Sequence, residues 1–589
     1  MTLPDGWWSG LEHPATGQPC FWRHAPLDSF INAFRFPIAT DGDLDYVGSN
    51  LIQNINMESQ AMTAQLLEPT VTDQSPAISA AQRLSDVRGK RLGFVDNSKC
   101  NADLFIQRLS TQLTDRFAVV RGPVIRKAAP KDRLTEADLA NLAQCDAVVQ
   151  CFGDCGTSTS ISVADAVEIE RRGIPSVTVF STAFAFAARK QAVGRGMAEL
   201  PLVRIPHPMH TAQRSVVAER ADAVVNTLVE RLTGDVREAV ETEVSGRFDG
   251  SNDSDDQEML FARGWTDGLP VVFPTAGKVA TMVAASGRDA MDRIGPIPPR
   301  WRQAAIEKIA INAVLAGCRP EYFPVVLAAI DALLDNDCQL YGIQTATNTT
   351  APLLIVNGPI AKEIDLNARG NVFGQGARAN ATIGRAVQLV FRNIGGDIAG
   401  ETDMATHGQA GKFTACIAEA EDESPWTPFH VDAGFAAHDS TVTVIGASAP
   451  HNIFTYGCET GQDILEHFIG ATLGLGHNNI IFPTGPLFIV SPEHAATMAR
   501  DGIGKTEIQS AVFARARIPL ARFAKRSVAG LHHRRARWFA EVGDPDHIGI
   551  ADRAEDISIV VAGGAGIHSL FVPTAFSYRP VTRKIVSEA

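Results

Sequence analysis

One loop of the sequence, CFGDCGTSTS at residues 151–160, has residue types that suit nucleophilic chemistry. It follows the apolar run DAVVQ and precedes the helical pattern ISVADAVEIERRG, so it connects a predicted strand to a predicted helix. A helix that begins there leaves backbone N–H groups facing a ligand, and its dipole stabilises a thiolate. Cys155 is therefore predicted to be a nucleophile at neutral pH. The structural alternative is a small cysteine buried in a tight turn.

Short strands and helices alternate on both sides of this loop. The pattern begins with the strand RLGFVDN and the helices ADLFIQRLSTQLTDRF and LTEADLANLAQC, and it continues after the loop with IPSVTVFS, AFAFAARKQAVGRGM and LPLVRIPHP. Such alternation predicts a parallel, doubly wound α/β sheet. Ligands of these sheets bind beyond the carboxyl ends of the strands, which is where Cys155 falls.

The composition predicts four parts of the chain. Residues 1–88 are rich in turns and predict an irregular N-terminal extension, and residues 89–243 hold the alternating pattern. Residues 244–257, VSGRFDGSNDSDDQ, combine glycine, serine and acidic residues and predict a linker. Residues 258–589 predict a larger mixed α/β domain, with helices such as IEKIAINAVLAG and SPEHAATMARDG and strands such as STVTVIGAS.

Charge and cysteine usage exclude several classes of protein. A formal net charge of −13 argues against a nucleic acid or an anionic membrane as partner, because either requires a basic surface. The chain has neither a signal-peptide pattern nor about 18 consecutive apolar residues. Nine cysteines, an odd number, do not make a disulfide framework for 589 residues. We expect a cytoplasmic protein with reduced thiols.

The run GDCGTSTSISVADAVEIERRGIPSVTVFSTAFA, followed by PLVRIPHPM, resembles the UGSC family of proteins and selenoproteins. The resemblance covers about residues 90–235. In that family a loop of selenocysteine or cysteine, Gly, Ser and Cys precedes a similar helix and strand. The resemblance implies that Cys155 takes the selenocysteine place, that Gly156 and Thr157 take the Gly and Ser places, and that His207 matches a family histidine.

The sequence departs from the family pattern at Ser158, which stands where the second thiol would be. A redox pair therefore cannot form within this loop, although Cys151 could replace the missing thiol if it is not buried in the core. A single thiolate at Cys155 suits covalent addition to an electrophilic carbon, or exchange of a C–S or C–N bond. His207 would then take and return the thiol proton, or else only cap a turn.

Two polar clusters in the second half are further candidates. NVFGQGARANATIGRA places Arg378 and Asn380 near a helix start, where they could hold a carboxylate or phosphate. GGDIAGETDMATHGQAGKF brings together Glu401, Asp403 and His407, which are ligand types for zinc or another divalent metal. No HxH, HExxH or CxxC spacing supports that metal site, so the cofactor stays unknown.

The preferred interpretation is an enzyme whose thiolate cleaves or reduces a small anionic substrate lying between two α/β domains. Backbone amides of residues 156–158 would stabilise developing negative charge. We also expect a homo-oligomer. Two alternatives remain: a metal-assisted lyase or hydrolase centred on the second domain, and a binding or assembly subunit without catalysis.

Overall fold

Buried apolar strands and amphipathic helices alternate along the chain in the structure, a computed structural model that describes residues 65–71, 77–234, 248–249 and 253–586. The strands are β1 (Gln65–Leu66), β2 (Arg91–Asp96), β3 (Val120–Arg126), β4 (Ala147–Gly153), β5 (Ser176–Ser181), β6 (Leu202–Ile205), β7 (Phe248–Asp249), β8 (Arg293–Ile297), β9 (Arg302–Ala305), β10 (Ala351–Asn357), β11 (Cys416–Ala418), β12 (Thr441–Ala447), β13 (His451–Phe454), β14 (Leu487–Val490), β15 (Arg517–Pro519), β16 (His547–Gly549), β17 (Ser558–Val561), β18 (His568–Val572) and β19 (Val581–Lys584).

The α-helices are numbered in the same way along the chain. They are α1 (Ala102–Phe117), α2 (Glu136–Leu142), α3 (Gly156–Arg171), α4 (Thr182–Gly194), α5 (Arg214–Thr233), α6 (Asp253–Ala262), α7 (Ala276–Ala284), α8 (Ile306–Ala316), α9 (Phe323–Leu333), α10 (Leu340–Thr345), α11 (Pro359–Glu363), α12 (Arg378–Val390), α13 (Phe429–Asp432), α14 (Gly461–Ala471), α15 (Asn478–Ile481), α16 (Pro492–Arg500), α17 (Lys505–Arg515), α18 (Lys525–Arg534) and α19 (Ala536–Glu541).

The first half folds into a five-stranded parallel sheet of order β3-β2-β4-β5-β6. Helices α1 and α5 pack on one face, and α2, α3 and α4 supply apolar side chains to the other. The predicted doubly wound α/β fold is therefore confirmed. Strands β3 and β4 lie on opposite sides of β2, so the chain reverses its winding there. This reversal creates a crevice between the carboxyl ends of β2 and β4.

Strand β3 did not stand out in the sequence because it lies at the edge of the sheet. Its sequence VRGPVIR has mostly exposed or partly exposed side chains, without the apolar pattern of the central strands. Pro123 is tolerated there because an edge strand has one row of backbone groups outside the ladder. The central strands β4 and β5, by contrast, are buried along their whole length.

The second half is mixed α/β, as predicted. It contains two four-stranded sheets, of order β11-β10-β12-β19 and β13-β18-β14-β17. Helices α8, α9 and α12 form much of the core beside the first of these sheets. Helix α16 begins in the predicted motif SPEH, where the Ser491 side chain accepts a hydrogen bond from His494 N.

The predicted extension and linker lie only partly within the described residues. Of the extension, the segment 77–88 runs along the first domain, with hydrogen bonds from Ile78 N to Gly196 O and from Leu84 N to Leu232 O. Helix α6 begins at Asp253, inside the range predicted as linker. Residues 63–589 group as one compact unit.

Within the ranges described above, no helix is both long and apolar enough to cross a membrane.

Candidate active site at the thiol loop

Cys155 is the residue that caps helix α3. Strand β4 ends at Gly153, and Cys155 has extended backbone angles (φ −161°, ψ 167°) immediately before the first helical residue, Gly156. Its Sγ accepts a hydrogen bond from Ser158 N at 3.4 Å, in the position that a serine or aspartate oxygen usually takes in a capped helix. The helix thus begins directly after the thiol, earlier than the glycine and hydroxyl residues had indicated.

Lys99 is the charged partner of this thiol. It lies in the loop after β2, where its backbone N donates to Asn97 Oδ1 at 3.2 Å, and its positive charge acts on the sulfur of Cys155. Burial alone would raise the pKa of Cys155. The positive charge of Lys99 and the hydrogen bonds from Ser158 outweigh that effect and lower the pKa below its usual value.

Sequence reasoning missed Lys99, although a signal for it exists. The motif DNSKC follows β2, and β2 and β4 flank the point where the sheet reverses its winding. A lysine after one strand and a cysteine after the other must lie at the same end of the sheet. Only the strand order makes them neighbours.

Asp154, the residue before the thiol, organises the opposite wall of the site. Its side chain is buried and accepts hydrogen bonds from Met209 N (3.0 Å), His210 N (3.0 Å) and His210 Nδ1 (2.7 Å) through Oδ2. Its Oδ1 contacts His207 Nδ1 at 2.9 Å. Burial would raise the pKa of Asp154, but the hydrogen bonds from His210 and Ser181 and the charge of Lys99 hold it well below its usual range.

His207, the predicted proton carrier, is held by two hydrogen-bonding groups. Its Nδ1 lies 2.9 Å from Asp154 Oδ1 and 3.1 Å from Ser181 Oγ, and the ring stands edge-on to Phe184. A proton on Nδ1, inferred from the carboxylate contact, leaves Nε2 as the basic nitrogen. The described contacts of His207 do not include Cys155. In this arrangement the thiol pairs with Lys99, and the imidazole pairs with Asp154.

The residues after the thiol complete a polar cradle. Ser158 Oγ accepts from Asp154 N and from the Cys155 thiol, each at 3.2 Å, and donates to Cys155 O. Thr157 and Ser158 are both buried. Among the described residues, the backbone N–H groups of Gly156 and Thr157 have no hydrogen-bond partner, as is usual in the first turn of a helix.

The second half of the chain covers the first turn of α3. A Cβ built on Gly156 would lie 1.3 Å from the carbonyl oxygen of Thr345 and 3.2 Å from Met404 Cβ. Thr345 is the last residue of α10, and Met404 belongs to a loop that is tied to the chain after α10 by the bond from Thr406 N to Thr347 O. The thiol loop is therefore enclosed by both halves of the chain.

Cys151 lies away from this cradle, inside the core. It is fully buried in β4 among apolar side chains such as Phe105 and Phe152, and burial strongly raises the pKa of its thiol. A thiol in this environment is protonated and shielded, which argues against the resolving role considered for it. The described cysteines are all unpaired.

The two residues predicted to bind a ligand in the second half hydrogen-bond neighbouring backbone. Arg378 donates to Gly317 O at the end of α8, with N–O distances of 3.1 and 2.9 Å. The Asn380 side chain accepts from Asn367 N and donates to the carbonyl oxygens of Asn367 and Cys416. These hydrogen bonds hold neighbouring backbone in place, and no contact found for either residue reaches the thiol loop.

The predicted metal ligands do not form a metal site. Asp403 forms an ion pair with Lys412 at 2.6 Å, which occupies the carboxylate that a metal would need. Across the described ranges, no group of three or more His, Cys, Asp or Glu side chains could hold a metal ion, so Glu401 and His407 do not complete one with Asp403. Proximity in sequence alone does not bring metal ligands together.

A family comparison agrees with the geometry of the first half. Residues 65–234 match the model of the UGSC family, so the chain contains a UGSC family domain that includes the five-stranded sheet and the thiol loop. The expected resemblance is thereby confirmed, and its range extends further toward the N-terminus. A larger region of the chain lies outside the match. Comparisons with curated proteins and with solved structures gave no match.

Proposed function

We propose that this protein is a thiol-dependent enzyme in which Cys155 forms a covalent bond with a small anionic substrate. The observation that carries the proposal is the environment of the sulfur. It caps the N-terminus of α3, accepts a hydrogen bond from Ser158 N and has a pKa lowered by the positive charge of Lys99. Reactive cysteines in proteins occupy electropositive, partly exposed sites of this kind, whereas structural cysteines lie in apolar ones. Cys155 is partly exposed, while Cys151 is fully buried.

The preference for an anion rests on the groups that surround the sulfur. The ammonium of Lys99 and the unpaired N–H groups of Gly156 and Thr157 are donors with positive potential. A carboxylate or a developing oxyanion would be stabilised by them. The cover formed by Thr345 and Met404 favours a small substrate, since it restricts the space above the first turn of α3.

In the proposed reaction, the thiolate electron pair of Cys155 forms a C–S bond with an electrophilic carbon of the substrate. The bond from that carbon to a leaving group breaks, and the leaving group takes the electron pair together with the Nε2 proton of His207, which enters this step with a proton on both ring nitrogens. Asp154 holds His207 in one orientation through Nδ1. A water molecule then attacks the same carbon and gives a proton to His207 Nε2, while the C–S electron pair returns to sulfur, where Lys99 again stabilises the thiolate.

A reductive cycle is less well supported than this addition. Reduction of a substrate by thiols needs two electrons, which a pair of cysteines supplies when it forms a disulfide. The family position of the second thiol holds Ser158, and Cys151 is buried in the core. The lone thiolate therefore favours bond cleavage or exchange without net oxidation.

The test compares two alkylating probes of opposite character. Iodoacetate is anionic and iodoacetamide is neutral, and both form the same C–S bond. We expect Cys155 to react faster than the exposed Cys100 with both probes, and its ratio of iodoacetate to iodoacetamide rates to exceed that of Cys100. Peptide mass spectrometry of timed samples measures these rates, with Cys155→Ser as control. Labelling of Cys155 only after unfolding would refute the proposal and favour a non-catalytic subunit.

A further inference from the structure

A second cleft lies where the UGSC domain meets the rest of the chain. It has a volume of about 340 Å³, and its polar wall includes Lys131 and Arg195 from the UGSC domain and Trp301, Tyr341 and Tyr578 from the second half. The rest of its wall combines apolar side chains, such as Ile161 and Leu340, with polar ones, such as Arg133 and Gln339. A cleft of this size and composition suits a small organic molecule.

Three donor groups of this cleft are buried without a hydrogen-bond acceptor. They are Lys131 Nζ, Arg195 Nε and Trp301 Nε1, none of which has a partner within the part of the chain that the structure describes. Aromatic rings partly compensate the two cations. Lys131 Nζ lies 3.9 Å from the centre of the Tyr578 ring, and Arg195 Cζ lies 4.8 Å from that of Trp301. Buried donors without acceptors are costly and therefore call for a ligand.

Nearby carboxylates do not neutralise both cations. Asp335 is already paired with Arg583 at 2.6 Å. The buried Asp165 is paired with Lys127 at 3.0 Å and with Arg133 at 2.6 Å, so that cluster carries a net positive charge. The remaining carboxylate of the wall, Asp132, lies 3.5 Å from the Tyr578 hydroxyl.

The pKa values of both cations are lowered, as expected for buried cations without a counter-ion. Burial lowers the pKa of Lys131 to about 8, with Arg534 of α18 adding repulsion and Asp132 opposing the shift. Burial likewise lowers the pKa of Arg195 to about 9, with Arg133 and Arg171 adding repulsion. An anion bound between them would raise both pKa values toward their usual range.

We propose that this cleft binds a small organic anion whose carboxylate pairs with Lys131 and Arg195 and whose apolar or aromatic body contacts Trp301 and Tyr578. The proposal does not depend on the chemistry of Cys155. The cleft and the thiol loop nevertheless share two helices. In α10, Tyr341 lines the cleft and Thr345 covers Gly156, and in α3 the residue Ile161 lines the cleft one to two turns beyond the thiol. A ligand in the cleft would hold together the junction that encloses the thiol.

The experiment uses 4-fluorobenzoate and its neutral analogue 4-fluorobenzamide as probes of the full-length protein, followed by ¹⁹F NMR titration. We expect saturable 1:1 binding of the benzoate and at least about tenfold weaker binding of the benzamide, since a charge-assisted pair is lost. Lys131→Met and Arg195→Met should each weaken benzoate binding by a similar factor. Thermal melting shows whether each variant folds. If one variant does not fold, the other still tests the proposal.

Matched controls exist elsewhere in the chain. Lys190 stands over Phe186 at 5.4 Å and Arg263 over Trp265 at 5.1 Å, and neither lines this cleft. Lys190→Met, Arg263→Met and Cys155→Ser should therefore leave benzoate binding unchanged. The proposal is overturned if the protein binds neither probe or binds both equally. It is also overturned if Cys155→Ser abolishes benzoate binding while a folded Lys131→Met variant still binds benzoate. The last result would place the anion in the thiol crevice.

Discussion

The carbonyl oxygen of Thr345 lies directly against the backbone of Gly156, where a Cβ atom would stand only 1.3 Å from it. Gly156 is the first helical residue after the thiol, and Thr345 is the last residue of α10. The glycine is required there by the close approach of another backbone, since the φ of Gly156 is not positive. Gly156, which takes the glycine place of the UGSC motif, thus allows the two halves of the chain to pack closely against each other.

Gly156→Ala should loosen this junction. The added methyl group must displace the α10 backbone, and we expect a loss of about 1–3 kcal/mol in the free energy of unfolding, as for other overpacked sites. Urea denaturation followed by circular dichroism measures it. The control is Gly470→Ala in α14, where a Cβ would have no neighbour within 4 Å. Equal stability of the two variants would contradict the proposed contact.

Lys99→Met should reduce the reactivity of the thiol. Without the ammonium group the thiolate loses its nearest positive charge, so its pKa rises and alkylation of Cys155 at pH 7 slows roughly tenfold. The rate of iodoacetamide labelling as a function of pH measures both effects. Lys90→Met serves as the control because Lys90 pairs with Asp146 on the surface. Unchanged labelling of Cys155 in Lys99→Met would remove Lys99 from the site.

The sequence was sufficient to predict the sheet and the thiol, and the reasons are local. Buried runs such as CDAVVQCF have the apolar character of central parallel strands, and a cysteine between a strand and a helix already implies a helix N-terminus. The edge strand β3 lacks that pattern, because most of its side chains are exposed or partly exposed.

The remaining parts of the site depend on long-range contacts. Lys99 meets Cys155 only because β2 and β4 are neighbours in the sheet, and Asp154 meets His207 and His210 across 53 and 56 residues of chain. Arg378 and Asn380 had suitable chemistry, but they are used to hold neighbouring backbone. Composition cannot distinguish a side chain that binds a ligand from one that binds its own fold.

Asp154→Asn should make stability less dependent on pH. The folded-state pKa of Asp154 lies below the usual value of about 3.9, so the ionised carboxylate contributes to stability above roughly pH 4. That contribution is lost as the pH falls through the folded-state pKa. We expect Asp154→Asn to be less stable than the parent by about 1–3 kcal/mol at pH 7, with a smaller difference at pH 3.

Urea denaturation at several pH values measures this difference. Asp146→Asn provides the comparison, because Asp146 forms a partly exposed pair with Lys90 and should change stability little. A stability difference for Asp154→Asn that stays constant between pH 7 and pH 3 would argue against an ionised, hydrogen-bonded carboxylate. The same variant should also slow any turnover, since one of the two carboxylate oxygens that accept from His207 and His210 becomes an NH2 donor.

Cys151→Ala should affect stability and leave the reactive thiol intact. The side chain is fully buried among apolar residues, and its removal leaves a small cavity that costs about 1 kcal/mol. Labelling of Cys155 by iodoacetamide should proceed at the parent rate. A stalled reaction after one cycle in this variant would instead identify Cys151 as a resolving thiol.

Ser158→Cys should convert the single-thiol loop into an oxidisable pair. Ser158 Oγ lies 3.2 Å from Cys155 Sγ, so a sulfur at this position would lie within reach of the existing thiol at the start of α3. We expect mild oxidation with diamide to form a disulfide between Cys155 and the introduced cysteine, detected by a mass decrease and by loss of iodoacetamide labelling. Dithiothreitol should restore labelling.

The parent protein is the control for this experiment, because it retains Cys151 and Cys155. Its Cys151 side chain points into the core with Phe105 and Phe152, away from the half-buried Cys155. Under the same oxidation we therefore expect no disulfide between these two residues. If the parent formed that disulfide while folded, the single-thiol mechanism would be wrong and Cys151 would be the second thiol of a redox pair.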